Sequence, residues 1–139
     1  MGEHMKTVEA MMAAWKKRDV EGFIATLADD IEYHWHPTKR PAVGKDKMRK
    51  FLANYEQGFD QQEWQIRHSA ESGNVLFVEG MEVLVDRSTG TRMNNPFVQV
   101  FELRDGLITR MRDYYDTAMV HAPAKRDDQS KAQPEAASA

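Results

Sequence analysis

Residues 74–116 read NVLFVEGMEVLVDRSTGTRMNNPFVQVFELRDGLITRMRDYYD, and they decide the fold. Three β-prone runs are separated by two turn signals. Asn74 to Asp86 is rich in valine and carries Gly80 at its middle. A glycine inside a strand marks a bend or bulge, or a place where another group comes up against the backbone. Ser88-Thr89-Gly90 is a hairpin turn, Thr91 to Leu103 is a second long strand containing Pro96, and Arg104-Asp105-Gly106 turns again. Leu107 to Asp116 closes the set. Two hairpins in series predict an antiparallel meander of long, bent strands.

Upstream, Glu63 to Ser69 alternates, with Trp64, Ile66 and His68 on one face, and adds a strand. Ahead of it the period becomes helical. Val8, Met11, Met12 and Trp15 recur at helical spacing among helix-favouring alanines. Asp19 is a good N-cap for a second helix from Val20 to about Ala28. Ile31 to about His36 reads as a short strand halted by Pro37. A third helix is expected from about Lys45 to Gln57, with Met48, Phe51, Leu52 and Tyr55 inward and Gly58 ending it. Three helices followed by a meander define an α+β fold. A curved antiparallel sheet covered by about three N-terminal helices makes a cone with an interior, and a pocket belongs there.

The chain has 139 residues, enough for one ordinary domain. Its net charge of −3 lacks the clustered positive surplus that nucleic-acid binding requires. There is no cysteine, so disulfides, thiol nucleophiles and cysteine metal sites are excluded. No apolar run approaches the roughly 20 residues of a membrane helix, and no signal-peptide core is present, so a cytoplasmic protein is expected. Met5 would serve as a start as well as Met1. From Ala122 onward the sequence has no aromatic and no aliphatic residue larger than alanine. Such a segment buries too little apolar surface to offset its ordering entropy. The expected organisation is therefore a domain over 5–120 and a disordered tail over 121–139.

Alternation then sorts the polar residues. On the last strand Met111, Asp113 and Tyr115 share one face, and Arg110, Arg112 and Tyr114 the other. Glu82 shares a face with Gly80 and Leu84, and Asn95, Phe97, Gln99 and Phe101 share theirs. Asp113, Glu82, Asn95 and Gln99 are thus expected to project into one cavity. Burial there would raise a carboxyl pKa and suit it to proton transfer near neutrality. The alternative is that Asp113 pairs with Arg110 or Arg112 as a structural ion pair. Tyr33-His34-Trp35-His36 places Tyr33 and Trp35 on one strand face and the two histidines on the other. The aromatics suit a pocket wall, and His36 is a candidate acid–base group. No third ligand accompanies the histidines, so no metal or other cofactor is expected. No serine stands in a nucleophile elbow, and no glycine-rich phosphate loop exists.

The segments AAWKKRDVEGFIATLADDIEYHWHP, AVGKDKMRKFLANY, VLFVEGMEVLVDRSTG and PFVQVFELRDGLITRMRDYYD resemble the SnoaL-like, nuclear-transport-factor-2-like superfamily over about residues 5–120. The limonene-epoxide hydrolase branch is the nearest in motif. The resemblance implies a cone-like, cystatin-like α+β barrel, a cofactor-free pocket for an apolar small molecule, and a homodimer through the outer face of the sheet. Of the Asp–Arg–Asp set of the epoxide hydrolases, one Asp falls on Asp113, the other on Glu82, and the Arg on Gly80. The water-binding tyrosine falls on Tyr33 and the asparagine on Trp35. The bridge between the two acids is therefore missing. Polyketide-cyclase-like relatives also use an acid at a position like Asp113. The base of ketosteroid isomerases falls on Trp35 or His36. The expected catalytic set is Asp113, Tyr33, His36 and Glu82, with Trp35, Tyr55, Asn95, Phe97, Gln99, Met111 and Tyr115 around the substrate. The expected activity is isomerisation, cyclisation or dehydration, with epoxide hydrolysis or non-catalytic ligand binding as alternatives.

Overall fold

The computed structural model describes residues 2–118. The tail expected over 121–139, and the last two residues of the expected domain, lie outside the described residues. Helix α1 (Gly2–Lys16) buries Val8, Met11 and Trp15, three and four residues apart, as an amphipathic stripe requires. It starts a turn before Met5, and His4 lies 3.2 Å from the Gly73 carbonyl oxygen. Asp19 caps α2 (Val20–Ile24) by accepting from the Gly22 N–H at 2.9 Å.

That helix ends earlier than the expected Ala28, because a strand captures the chain. The Ile108 N–H donates to the Thr26 carbonyl, and Leu27 pairs with Ile108. Strand β1 (Leu27–His34) therefore begins four residues before the expected Ile31 and ends two before His36. A two-residue strand, β2 (Ala42–Val43), sits in what reads as a loop and pairs with Glu32 and Tyr33. Helix α3 (Lys45–Gly58) follows the expected course, with Met48 and Leu52 buried and Phe51 and Tyr55 packed at the core edge.

The meander is β3 (Phe59–Ser72), β4 (Val75–Asp86), β5 (Arg92–Arg104) and β6 (Leu107–Tyr114). β3 is twice the expected length, since its outer half pairs fully with β4 although its side chains are mostly exposed. The six strands form one curved sheet in the order β2-β1-β6-β5-β4-β3, open at both edges. All neighbours are antiparallel except β1 and β6, which run parallel. A parallel pair needs a long connection, and here α3 and the whole meander supply it. The inner face carries Leu76, Val78, Phe97, Phe101, Leu103, Ile108 and Met111, which pack against Val8, Met11, Trp15, Phe23, Ile24, Met48 and Leu52 of the helices. Among the described residues no helix is long and apolar enough to cross a membrane.

Register shifts at Gln61/Glu63 and Ile66/His68 bend β3 around β4. Gly80 sits opposite the second shift. A Cβ there would collide with the Gln65 carbonyl oxygen and crowd Cζ of Phe97. The approaching group is thus backbone, which cannot swing away. Gly80→Ala should destabilise the fold by about 1–3 kcal/mol, the range of overpacked sites. Gly58→Ala, where an added Cβ meets nothing within 4 Å, should be neutral or mildly stabilising. Urea unfolding of both variants checks the contrast.

Candidate active site

Strand register assembles the polar interior. Trp64 lies opposite Glu82, Glu82 opposite Asn95, and Gln99 opposite Asp113. Asn95 and Gln99 are four apart on β5 and so share its inner face. The parallel pairing of β1 with β6 sets Tyr33 beside Met111 and within reach of Asp113.

Two carboxylates result, each held by neutral donors. The Tyr33 hydroxyl donates to Asp113 Oδ2 at 2.5 Å, and Gln99 Nε2 donates to Oδ1 at 2.8 Å. The indole N–H of Trp64 donates to Gln99 Oε1 at 3.2 Å. An indole can only donate, so it fixes the orientation of the Gln99 amide and keeps its NH₂ on Asp113. Oδ1 is therefore held as an acceptor. Oδ2 faces a phenol that can also accept, so a proton can rest there. Glu82 receives Asn95 Nδ2 at 2.7 Å and Gln61 Nε2 at 2.6 Å. Asn95 Oδ1 is buried with no donor among the described residues.

Neither acid pairs with a cation among the described residues. Arg112 donates to Glu102 at 2.7 Å and Arg110 lies 3.7 Å from Glu32, both on the outer face. Their loss of hydration is therefore uncompensated by opposite charge. Burial pushes the Asp113 carboxyl up to about 7, against the pull of the Tyr33 and Gln99 hydrogen bonds. Burial also raises Glu82, against its two amides. The Tyr33 phenol is driven well above its ordinary value by burial and by the adjoining Asp113 charge.

Both acids open onto a cavity of about 60 Å³ lined by Tyr33, Trp35, Phe51, Tyr55, Gln61, Trp64, Phe97, Gln99, Met111 and Tyr115 among others. Nine of the eleven residues expected in the site thus line it. His36 does not. β1 ends at His34, and ahead of Pro37 the chain turns so that His36 Nδ1 lies 3.0 Å from Thr38 Oγ1 and its ring stands edge-on to Tyr115. Asn95 is nearly wholly buried and reaches the cavity only through Glu82. His34 lies near Glu32 and does not share partners with His36. The sequence reading missed Gln61, Trp64 and Phe51 as lining residues. Gln61 and Trp64 are three apart, which alternation places on opposite faces, and the bulge between Gln61 and Glu63 brings both inward.

The model of the SnoaL-like domain matches residues 8–111, and the chain belongs to that family. Its fold is similar to that of an NTF2-like protein of unknown function from Burkholderia pseudomallei K96243. They share 24% identity, with a TM-score of 0.79 over 86% of this chain and 95% of that one. It is similar to a candidate polyketide cyclase from Xanthomonas campestris pv. campestris, at 22% identity and a TM-score of 0.77 over 86% and 94% of the two chains. An LEH-like epoxide hydrolase from M. tuberculosis gives 24% identity and a TM-score of 0.76 over 96% and 98%. At these identities the likeness shows the fold.

A carboxyl raised in the fold keeps a proton that the unfolded chain has already released. Stability should therefore fall as pH rises from about 4 to about 7 and then level off. Asp113→Asn should remove this component, making the variant more stable than wild type at pH 8 by at most about 4 kcal/mol. The difference should vanish near pH 4. Paired urea titrations across that range measure it.

Proposed function

We propose that the chain is an enzyme that performs acid–base chemistry on a small, largely apolar substrate, without a cofactor. The observation that carries this reading is the Asp113 carboxylate, which faces an aromatic cavity and is held by Tyr33 and Gln99 instead of an arginine. The reaction class is proton transfer next to a carbonyl, leading to isomerisation, cyclisation or dehydration. Ionised Asp113 takes the proton from carbon. The neutral acid so formed suits a buried site, and it returns the proton to another atom of the substrate. Tyr33 keeps the carboxylate oriented, and Glu82 helps hold the interior polar groups in register. Rate should rise with pH through about 7, because the base must be ionised.

A substrate-independent test exists. Incubation of a panel of ketones and enones in D₂O, followed by mass spectrometry, should reveal deuterium uptake next to the carbonyl. Asp113→Asn should lose about 10²–10⁴-fold in exchange rate. Unchanged exchange in the variant would overturn the reading. Epoxide hydrolysis is the second reading, favoured by two carboxylates on one cavity. It would leave ¹⁸O from labelled water in a diol product. Against it stands Gly80, where the arginine of such enzymes would fall and where even a Cβ meets backbone. A non-catalytic ligand-binding role would show saturable binding and no exchange.

We also propose that the protein forms a homodimer through the outer face of β4, β5 and β6. Phe77, Val98 and Tyr114 are large, exposed side chains on these three adjacent strands. Light scattering should give twice the chain mass for wild type and a monomer for Val98→Glu/Tyr114→Glu. A wild-type monomer at 100 μM or so would refute the dimer.

A further inference from the structure

The cavity is short of positive charge. Its titratable groups are Tyr33, Tyr55, Tyr115, Glu82 and Asp113, and among the described residues no lysine, arginine or histidine lines it. Among the described residues, every hydrogen-bond partner of the two acids is a neutral amide or phenol. Arg18 is not among the lining residues and is engaged elsewhere. It sits 4.9 Å from the ring centroid of Trp15 and is bound to Glu56 and Asp60. A buried anion without a counter-ion is costly, and a ligand that brings the counter-ion removes that cost.

The wall around the acids is aromatic. Phe51 stands edge-on to Trp35 at 5.4 Å and stacks with Tyr55 at 6.0 Å, while Trp64 and Tyr115 line the same space. Aromatic faces carry negative potential, and they attract alkylammonium groups whose methyls also satisfy an apolar wall. Carboxylates and aromatic faces together select one chemistry.

We propose that the cavity is built for a small ligand bearing a tertiary or quaternary alkylammonium centre, seated among Trp35, Phe51, Tyr55 and Trp64 with Glu82 and Asp113 as its counter-charge. This rests on the pocket's being the ligand site, as in the functional reading, and not on the proton transfer. It narrows the substrate class from apolar molecules in general to apolar amines and ammonium compounds, and it excludes carboxylate and phosphate substrates. The raised carboxyl of Asp113 agrees with it, since a cation would draw that group back to its ionised form.

The test compares choline with 3,3-dimethylbutan-1-ol, which has the same shape and no charge. All three tryptophans of the chain, Trp15, Trp35 and Trp64, line the cavity, so intrinsic fluorescence reads binding directly. At pH 8.5 choline should bind at least about tenfold more tightly than the alcohol. The ratio should fall toward one at pH 4, where the acids are protonated. Glu82→Gln should lower this ratio several-fold. That variant can fold, because Asn95 can turn its amide and present the unpartnered Oδ1 to the new NH₂ group. Equal binding, preference for the alcohol, a ratio indifferent to Glu82→Gln, or no saturable binding of either probe would overturn the proposal. Deuterium exchange reports on the proton-transfer reading separately. Cation preference without exchange leaves this inference standing and removes that one, and exchange without cation preference does the reverse.

Discussion

The hydrogen bond from the Trp64 indole to Gln99 is a small contact with wide consequences. Because indole donates and never accepts, it settles which end of the Gln99 amide faces Asp113. Asp113 then receives a donor at each oxygen, one from an amide and one from a phenol. The same logic repeats at Glu82 with Asn95 and Gln61. The interior thus tolerates two acids through hydrogen bonding alone. Neutral donors stabilise a carboxylate less than a guanidinium does, so both groups stay closer to protonation than a salt-bridged pair would. The proposed proton transfer and the proposed preference for a cationic ligand both rest on this feature.

Much of this was legible in the sequence because strands obey a period of two. Asp113 with Met111, and Asn95 with Phe97 and Gln99, are on inner faces as alternation requires. The turns at Ser88-Thr89-Gly90 and Arg104-Asp105-Gly106 fixed the hairpins that set the register between them. Alternation fails where a bulge inserts a residue. Gln61 and Trp64 both face inward for that reason, and no local feature of QQEW announces the bulge. The end of α2 was misread for a different cause. Residues Leu27 and Ala28 suit a helix, yet pairing with Ile108, remote in the chain, makes them strand. His36 was misplaced because strand geometry was extended past His34 into the turn before Pro37.

Gly80 is where this chain departs from its resemblance to the epoxide hydrolases. Where the resemblance puts an arginine between two acids, this chain has the carbonyl of Gln65 pressed against the glycine. Any side chain at this position would meet that carbonyl. Among the described residues the two acids are left with neutral partners. Likeness of fold to an epoxide hydrolase therefore says little about the reaction here.

The parallel pairing of β1 with β6 joins segments remote in the chain. β6 is the last strand among the described residues, yet it lies in the middle of the sheet, between β1 and β5. In the finished sheet it is the strand that joins β2 and β1 to β5, β4 and β3. Tyr33 lies 80 residues from the partner of its hydroxyl. Contacts this remote in sequence carry the loop-closure entropy of a long chain segment. A chain cut short before Leu107 would therefore carry most of the cavity's aromatic wall without the strand that brings Asp113 to it.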